Sequence, residues 1–247
     1  MRPPETTSRK VLIPPPREGG FRAELAAIPL TFIVLTTASG MVDAVTFLTM
    51  GHVFVANMTG NVVFLGFAAA GDRDISAAGS LAALAAFVLG SFAGGALTVG
   101  SSRAERLMLR ATSINLVLAL GALAVVAMLG IAVDSPGAFA AIVLLAIAMG
   151  IQSAVARTIA VPDFTTTVLT MTITGLAADL ARGVSPKTLR RLLSVAAMFA
   201  GAAVGAVLVL RLGVPAGLIG VCAVLALSIG VELRTLRSLQ EPAASAR

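Results

Sequence analysis

Residues 54–70 read FVANMTGNVVFLGFAAA, and residues 164–181 read FTTTVLTMTITGLAADLA. Both runs are apolar, yet both are short and carry amides or hydroxyls where a membrane span would carry aliphatic side chains. A spanning helix needs about 20 predominantly apolar residues. Whether these two runs cross a bilayer decides the topology of the whole chain. Six longer runs surround them: 28–50, 79–100, 112–133, 136–157, 189–210 and 214–231.

The scarce charges settle the expectation. If all eight runs cross with the N-terminus inside, 13 Lys and Arg residues lie inside and 5 outside. If 54–70 and 164–181 dip in and return on the same side, the division becomes 16 to 2, with Arg73 and Arg211 outside. Cytoplasmic loops carry the excess of Lys and Arg, so the second arrangement is preferred. The expected fold is an all-α polytopic membrane protein. It has six transmembrane helices plus two short re-entrant or broken helices, with both termini cytoplasmic.

The composition agrees. Of 247 residues, 57% are hydrophobic and 12% charged, against about 25% charged in soluble domains. That excludes a soluble enzyme, a nucleic-acid binder and a secreted disulfide scaffold; no nucleic-acid partner is expected, and the lipid bilayer is the first partner. The net charge of +6 reads as topology. Cys222 can form no internal disulfide, and a single His52 without CxxC or HExxH spacing argues against any bound metal. No cofactor motif is present. With no Trp or Tyr, Lys and Arg must anchor the helices.

The chain also repeats itself. At an offset of 110, Leu35, Ala38, Gly40, Ala44, Val45 and Phe54 meet Leu145, Ala148, Gly150, Ala154, Val155 and Phe164. At 111, Thr59 meets Thr170, and Gly90 and Gly94 meet Gly201 and Gly205. The organisation is therefore a disordered tail over 1–24, one repeat over 25–133, a second over 134–233 and a C-terminal tail over 234–247. Three full spans per half invert the second repeat relative to the first. Inverted repeats with interrupted segments at matching positions characterise many transporters, and the interruption marks the binding site.

One stretch carries a family resemblance. Residues 39–66, SGMVDAVTFLTMGHVFVANMTGNVVFLG, hold a G-x-x-DA pair, then a Gly, then F-x-ANMTGN. This resembles the signature of the YoaK-like family of bacterial multi-pass inner-membrane proteins, a domain of unknown function. The resemblance implies a membrane fold and location and adds little about substrate.

Candidate site residues follow from polarity where none belongs. Asp43 lies deep in the first span, and a charged residue there costs about 2.5–3.5 kcal/mol on insertion scales, so it needs a partner or a cavity. It suits a proton or cation site, or a structural carboxylate capping the broken segment. Arg157 ends the fifth span and could approach Asp43 across a pseudo-two-fold, or simply snorkel to the surface. Asn57, Thr59, Gly60 and Asn61 form the densest polar cluster; Thr167, Thr170 and Thr174 share a helical face in the matching run. Together they could line a site for a small polar solute or ion, or act as interhelical glue. Gly90, Gly94, Gly201 and Gly205 are read as close helix-packing positions, with a homodimer interface a further use. Asn115 and Gln152 are read as glue, and Asp179 as a surface partner of Arg182. The functional expectation is a secondary transporter or permease binding a small solute near mid-membrane between the two broken helices. The alternative is a non-transporting scaffold or sensor. An enzyme is not expected, because no nucleophile–base pair can be assembled.

Overall fold

The computed structural model describes residues 30–99, 104–159, 169–180 and 186–244. Among these the structure is helical: α1 (Leu30–Thr49), α2 (Met58–Ala69), α3 (Ala77–Thr98), α4 (Ala104–Leu129), α5 (Pro136–Ile159), α6 (Leu169–Leu180), α7 (Pro186–Leu212) and α8 (Val214–Ala244). Six of them are long and apolar enough to cross a membrane. Helix α2 has 12 residues, about 18 Å at 1.5 Å per residue, well short of a hydrocarbon core of about 30 Å; α6 has 12 described residues.

Local chemistry sets the helix boundaries. Ser76 caps α3 by accepting from the Gly79 N–H at 2.9 Å, the usual use of an N-cap hydroxyl. Ser135 does the same for α5, accepting from Ala138 N–H at 3.2 Å, with Pro136 in the first-turn position that tolerates it. Gly213 turns α7 into α8 through a left-handed φ of +89°. Buried hydroxyls bond back to the carbonyl four residues earlier, as in Ser39 to Leu35, Thr46 to Val42 and Thr112 to Met108. In an apolar surrounding that satisfies the hydroxyl without a partner from water.

Two helices form the centre. The most apolar windows of α1 and α5 are each 61% buried, against 22–33% for the other four long helices. Helix α1 packs along α7 and α8, and α5 packs along α3 and α4; α4 and α8 close against each other. The short α2 rests on α3, and α6 on α7. Every one of these pairings maps onto another, or onto itself, when the halves are exchanged.

The glycines show the same exchange at atomic scale. Gly90 lies against the Ile147 backbone of α5, and its counterpart Gly201 lies against Thr37 of α1; Gly94 meets Ile151, and Gly205 meets Met41. In return, Gly150 faces Phe87 and Ser91, and Gly40 faces Met198 and Ala202. Each contact converts into another under the offset of 110 or 111 residues. The GxxxG pairs therefore seat α3 and α7 on the first span of the opposite half, rather than on each other or on the broken helices. Ser39 Oγ lies 3.9 Å from Met149 Sδ, and these residues are themselves equivalent, so the pseudo-two-fold axis passes between them.

Two boundaries differ from the hydropathy reading. Helix α4 starts at Ala104, so Arg106 and Arg110 sit on it rather than in a loop. Helix α8 runs to Ala244, past the apolar run of 214–231 and into the expected tail, so Glu232 continues the helix, and it is buried. The apolar register continues past the first acidic residue, which is why the helix does.

Candidate functional site

After α1 the chain turns through Met50–Asn57 and folds back on the helix it has just left. Gly51 has a φ of +80° and a Cβ there would press on Ser76, so only glycine suits the turn. His52 follows with φ of 59°; its Nδ1 is 3.0 Å from the Asp74 carbonyl and its ring lies edge-on to Phe47 at 5.0 Å. Ser76 Oγ bonds Asp134 on the same surface.

The returning segment docks on Asp43. Oδ1 accepts the Val55 N–H at 2.9 Å and the Ala56 N–H at 2.7 Å. Asp43 is 4% exposed, and its second oxygen, Oδ2, is buried with no hydrogen-bond partner. The carboxyl group thus fixes the entry to the broken helix with one oxygen and leaves the other uncommitted. Asn61 locks the same segment from the other side. Its Oδ1 accepts the Phe54 N–H at 2.9 Å and its Nδ2 donates to the Phe54 carbonyl at 2.6 Å. Fully buried, Asn61 is a backbone staple and lies outside the pocket wall. Asn61→Leu should orphan both groups at about 1–3 kcal/mol each, seen as faster proteolysis in the 50–60 loop; unchanged cleavage would show that the staple is dispensable.

Between α1, α7 and this segment lies a cavity of about 280 Å³. Asp43 and Asn57 supply polarity; Phe47, Phe54, Met198 and Ala202 supply much of the apolar wall. Phe47 and Phe54 stack at 4.8 Å, and Phe64 continues the cluster at 5.7 Å from Phe54. Gly60 lies under the Phe54 ring, where a Cβ would collide with it.

The other candidates are placed differently. Thr59 is exposed on α2. Thr167 lies outside the described residues. On α6, Thr170 and Thr174 are exposed, with Thr174 Oγ1 bonded back to the Thr170 carbonyl, and Thr172 is the buried threonine. The two broken helices rest on different scaffolds, α2 on α3 and α6 on α7, and the cavity wall takes nothing from α6.

Arg157 does not pair with Asp43. It is exposed in the last turn of α5. The axis explains why: Arg157 is equivalent to Phe47, so it belongs to the α5–α3 groove, while Phe47 belongs to the α1–α7 groove. Equivalence across a two-fold separates such residues unless they lie on the axis. Asp179 pairs with Arg191 at 2.8 Å, because α6 folds back on α7; Arg182 lies outside the described residues. Asn115 and Gln152 amides meet at 3.0 Å, and Gln152 Nε2 donates to Ser39 Oγ at 3.1 Å, so three helices are bonded near the axis.

A family profile described as "Protein of unknown function (DUF1275)" matches residues 31–231. The chain belongs to the DUF1275 family. A relative from Bacillus subtilis (strain 168), the "UPF0700 transmembrane protein YoaK", is 36% identical over 150 residues. That match covers 60% of this chain and 65% of the relative, a little under two thirds of its length. No solved structure is similar to this DUF1275 chain. With six apolar helices and a transmembrane relative, it is a multi-pass membrane protein.

Proposed function

We propose that this DUF1275 protein is a secondary transporter or permease for a small polar solute or ion, placed in the bacterial inner membrane with both termini cytoplasmic. The observation that carries the reading is Asp43: a buried carboxyl group with one unpartnered oxygen, in the wall of a cavity at a broken helix of a two-fold repeat. A carboxyl serving only as a cap would be replaceable by any acceptor; one with an uncommitted oxygen can also take a proton or a cation. Asn57 adds an amide that offers both a donor and an acceptor. The surrounding Phe, Met and Ala walls are apolar and leave Asp43 and Asn57 as the polar groups a solute would meet.

The packing divides the bundle into two units that each mix the halves, α1 with α7 and α8, and α5 with α3 and α4, and it supports motion of one unit against the other. Inverted halves make the inward and outward states related by symmetry. Such a site must be reachable from both faces of the membrane. In a chain carrying Cys222→Ser and Ala202→Cys, a membrane-impermeant maleimide applied to right-side-out and inside-out vesicles should modify the new thiol from each face. Labelling from one face alone, or from neither, would refute the permease reading.

A further inference from the structure

Glu232 is a second intramembrane carboxyl group, between α8 and α4. It is 5% exposed. Its Oε1 lies 2.9 Å from Thr112 Oγ1 and 3.3 Å from Ser228 Oγ, while Oε2 is buried with no hydrogen-bond partner. Helix α8 packs on α1, α4 and α7. The charged groups with described side chains on those helices are Asp43 on α1, Glu105, Arg106 and Arg110 on α4, and Arg190, Arg191 and Arg211 on α7. Arg234 and Arg237 follow on α8 itself. None of them bonds the free oxygen. Glu105, Arg106, Arg110, Arg211, Arg234 and Arg237 are exposed, and Arg191 holds Asp179.

Hydrogen counting decides what the cluster holds. Thr112 has one hydroxyl hydrogen but two acceptors within reach, the Met108 carbonyl at 3.1 Å and Glu232 Oε1 at 2.9 Å. The Met108 carbonyl is already served by the helix's own backbone N–H, so the nearer Glu232 oxygen takes the hydroxyl hydrogen. Ser228 Oγ donates to the same oxygen, and Oε2 is left with no donor. An ionised, unpaired carboxylate at this depth is the costly alternative, and such groups neutralise instead.

We propose that Glu232 is a proton-binding site, its proton carried on Oε2 while the Thr112 and Ser228 hydroxyls hold Oε1. The placement gives this proton a use. Asn115 stands one turn after Thr112 on α4, bonds Gln152 of α5, and through it reaches Ser39 of α1, one turn before Asp43. The starts of α1 and α4 lie on one side of the bundle, since Ser76 N–H bonds the Gly51 carbonyl and so ties the end of α1 to the start of α3. Glu232 is therefore toward one face and Asp43 toward the other, at the two ends of one buried polar strip. The proton site stands on its own geometry and does not require that the cavity at Asp43 carry a solute.

The test is infrared spectroscopy of the full chain in lipid nanodiscs, titrated with acid and base. Wild type should show at neutral pH a protonated-carboxyl stretch that is lost in Glu232→Gln, kept in Asp43→Asn, shifted in Thr112→Val, and lost reversibly as pH rises. Absence of any band removed by Glu232→Gln overturns the proposal, as does a band that never titrates, which would mark a permanent structural hydrogen bond. If Glu232→Gln does not fold, Thr112→Val decides, and an unshifted spectrum overturns it. A separate band lost in Asp43→Asn reports on the cavity carboxyl alone, so the two readings fail independently.

Discussion

Replacing Asp43 by Leu is expected to release residues 53–57 from α1, while replacing it by Asn leaves them docked. The carboxyl group holds two backbone N–H groups, those of Val55 and Ala56. Leu offers no acceptor, so both donors are orphaned in a buried setting, at about 1–3 kcal/mol each. Against this, Leu removes an acid from the membrane, worth about 2.5–3.5 kcal/mol on insertion scales when ionised. The two terms act in different places. Insertion of α1 improves, but the segment loses its anchor, and the short loop can relieve its orphaned groups only by opening to the surface. The loss is therefore local. Hydrogen exchange at Val55 and Ala56 should accelerate at least about tenfold in Asp43→Leu, since 1.36 kcal/mol is a factor of ten. Asn keeps a carbonyl oxygen in place, so Asp43→Asn should exchange within a few-fold of wild type. Equal protection in the Leu variant would mean that the carboxyl cap is not what docks the segment.

The second large effect concerns the glycine seams. At Gly90 a Cβ would overlap the Ile147 carbonyl, and at Gly201 it would overlap the Thr37 carbonyl. Backbone cannot step aside as a flexible side chain can, so even Ala forces the helices apart and forfeits contact along the seam. Overpacking of this kind costs about 1–3 kcal/mol and occasionally more. Gly95 is the internal control: nothing lies within 4 Å of its Cβ position, and Ala there gains up to about 1 kcal/mol of helix propensity. Thermal unfolding in detergent should show Gly90→Ala and Gly201→Ala lowered by similar amounts, with Gly95→Ala unchanged or raised. Unequal losses at Gly90 and Gly201 would argue against the two-fold equivalence of their seams.

Much of this fold is legible in the sequence, because a membrane leaves few options. Length and hydropathy suffice to separate the six spanning helices from the short α2. The offset of 110–111 residues marks the repeat, and the same offset relates the glycine contacts. What sequence could not reveal was which surfaces those glycines seat. Spacing shows that a helix has a smooth stripe; only the packing shows that the stripe meets the opposite half.

The site was legible in outline and not in roles. Asp43 stood out as an acid among aliphatics, and its capping duty was one of two readings the residue allowed. Asn61 looked like a solute ligand but serves the Phe54 backbone, since an unwound turn in an apolar setting must satisfy its own N–H and C=O. Of the two readings of Arg157, the pair with Asp43 does not form, because the axis runs by Ser39 and Met149 and places the two residues in separate grooves; Arg157 is exposed at the end of α5. Glu232 escaped notice because a hydropathy scan stops at the first acid. Ser228 and Glu232 at i and i+4 are the signal that could have found it: a hydroxyl one turn before an acid on an otherwise apolar helix.

The central claim is that solute crosses this membrane protein by way of the Asp43 cavity. The most direct measurement uses proteoliposomes holding the full chain, with a proton gradient imposed against an external mixture of amino acids, sugars, nucleosides and alkali cations. The vesicle contents are then read by mass spectrometry. The account predicts that at least one component accumulates with wild type and that Asp43→Asn, which keeps the fold, lowers that accumulation at least about tenfold, an effect of the size of one charge-assisted contact. Equal accumulation in wild type and Asp43→Asn, or none above protein-free vesicles with wild type, would contradict it.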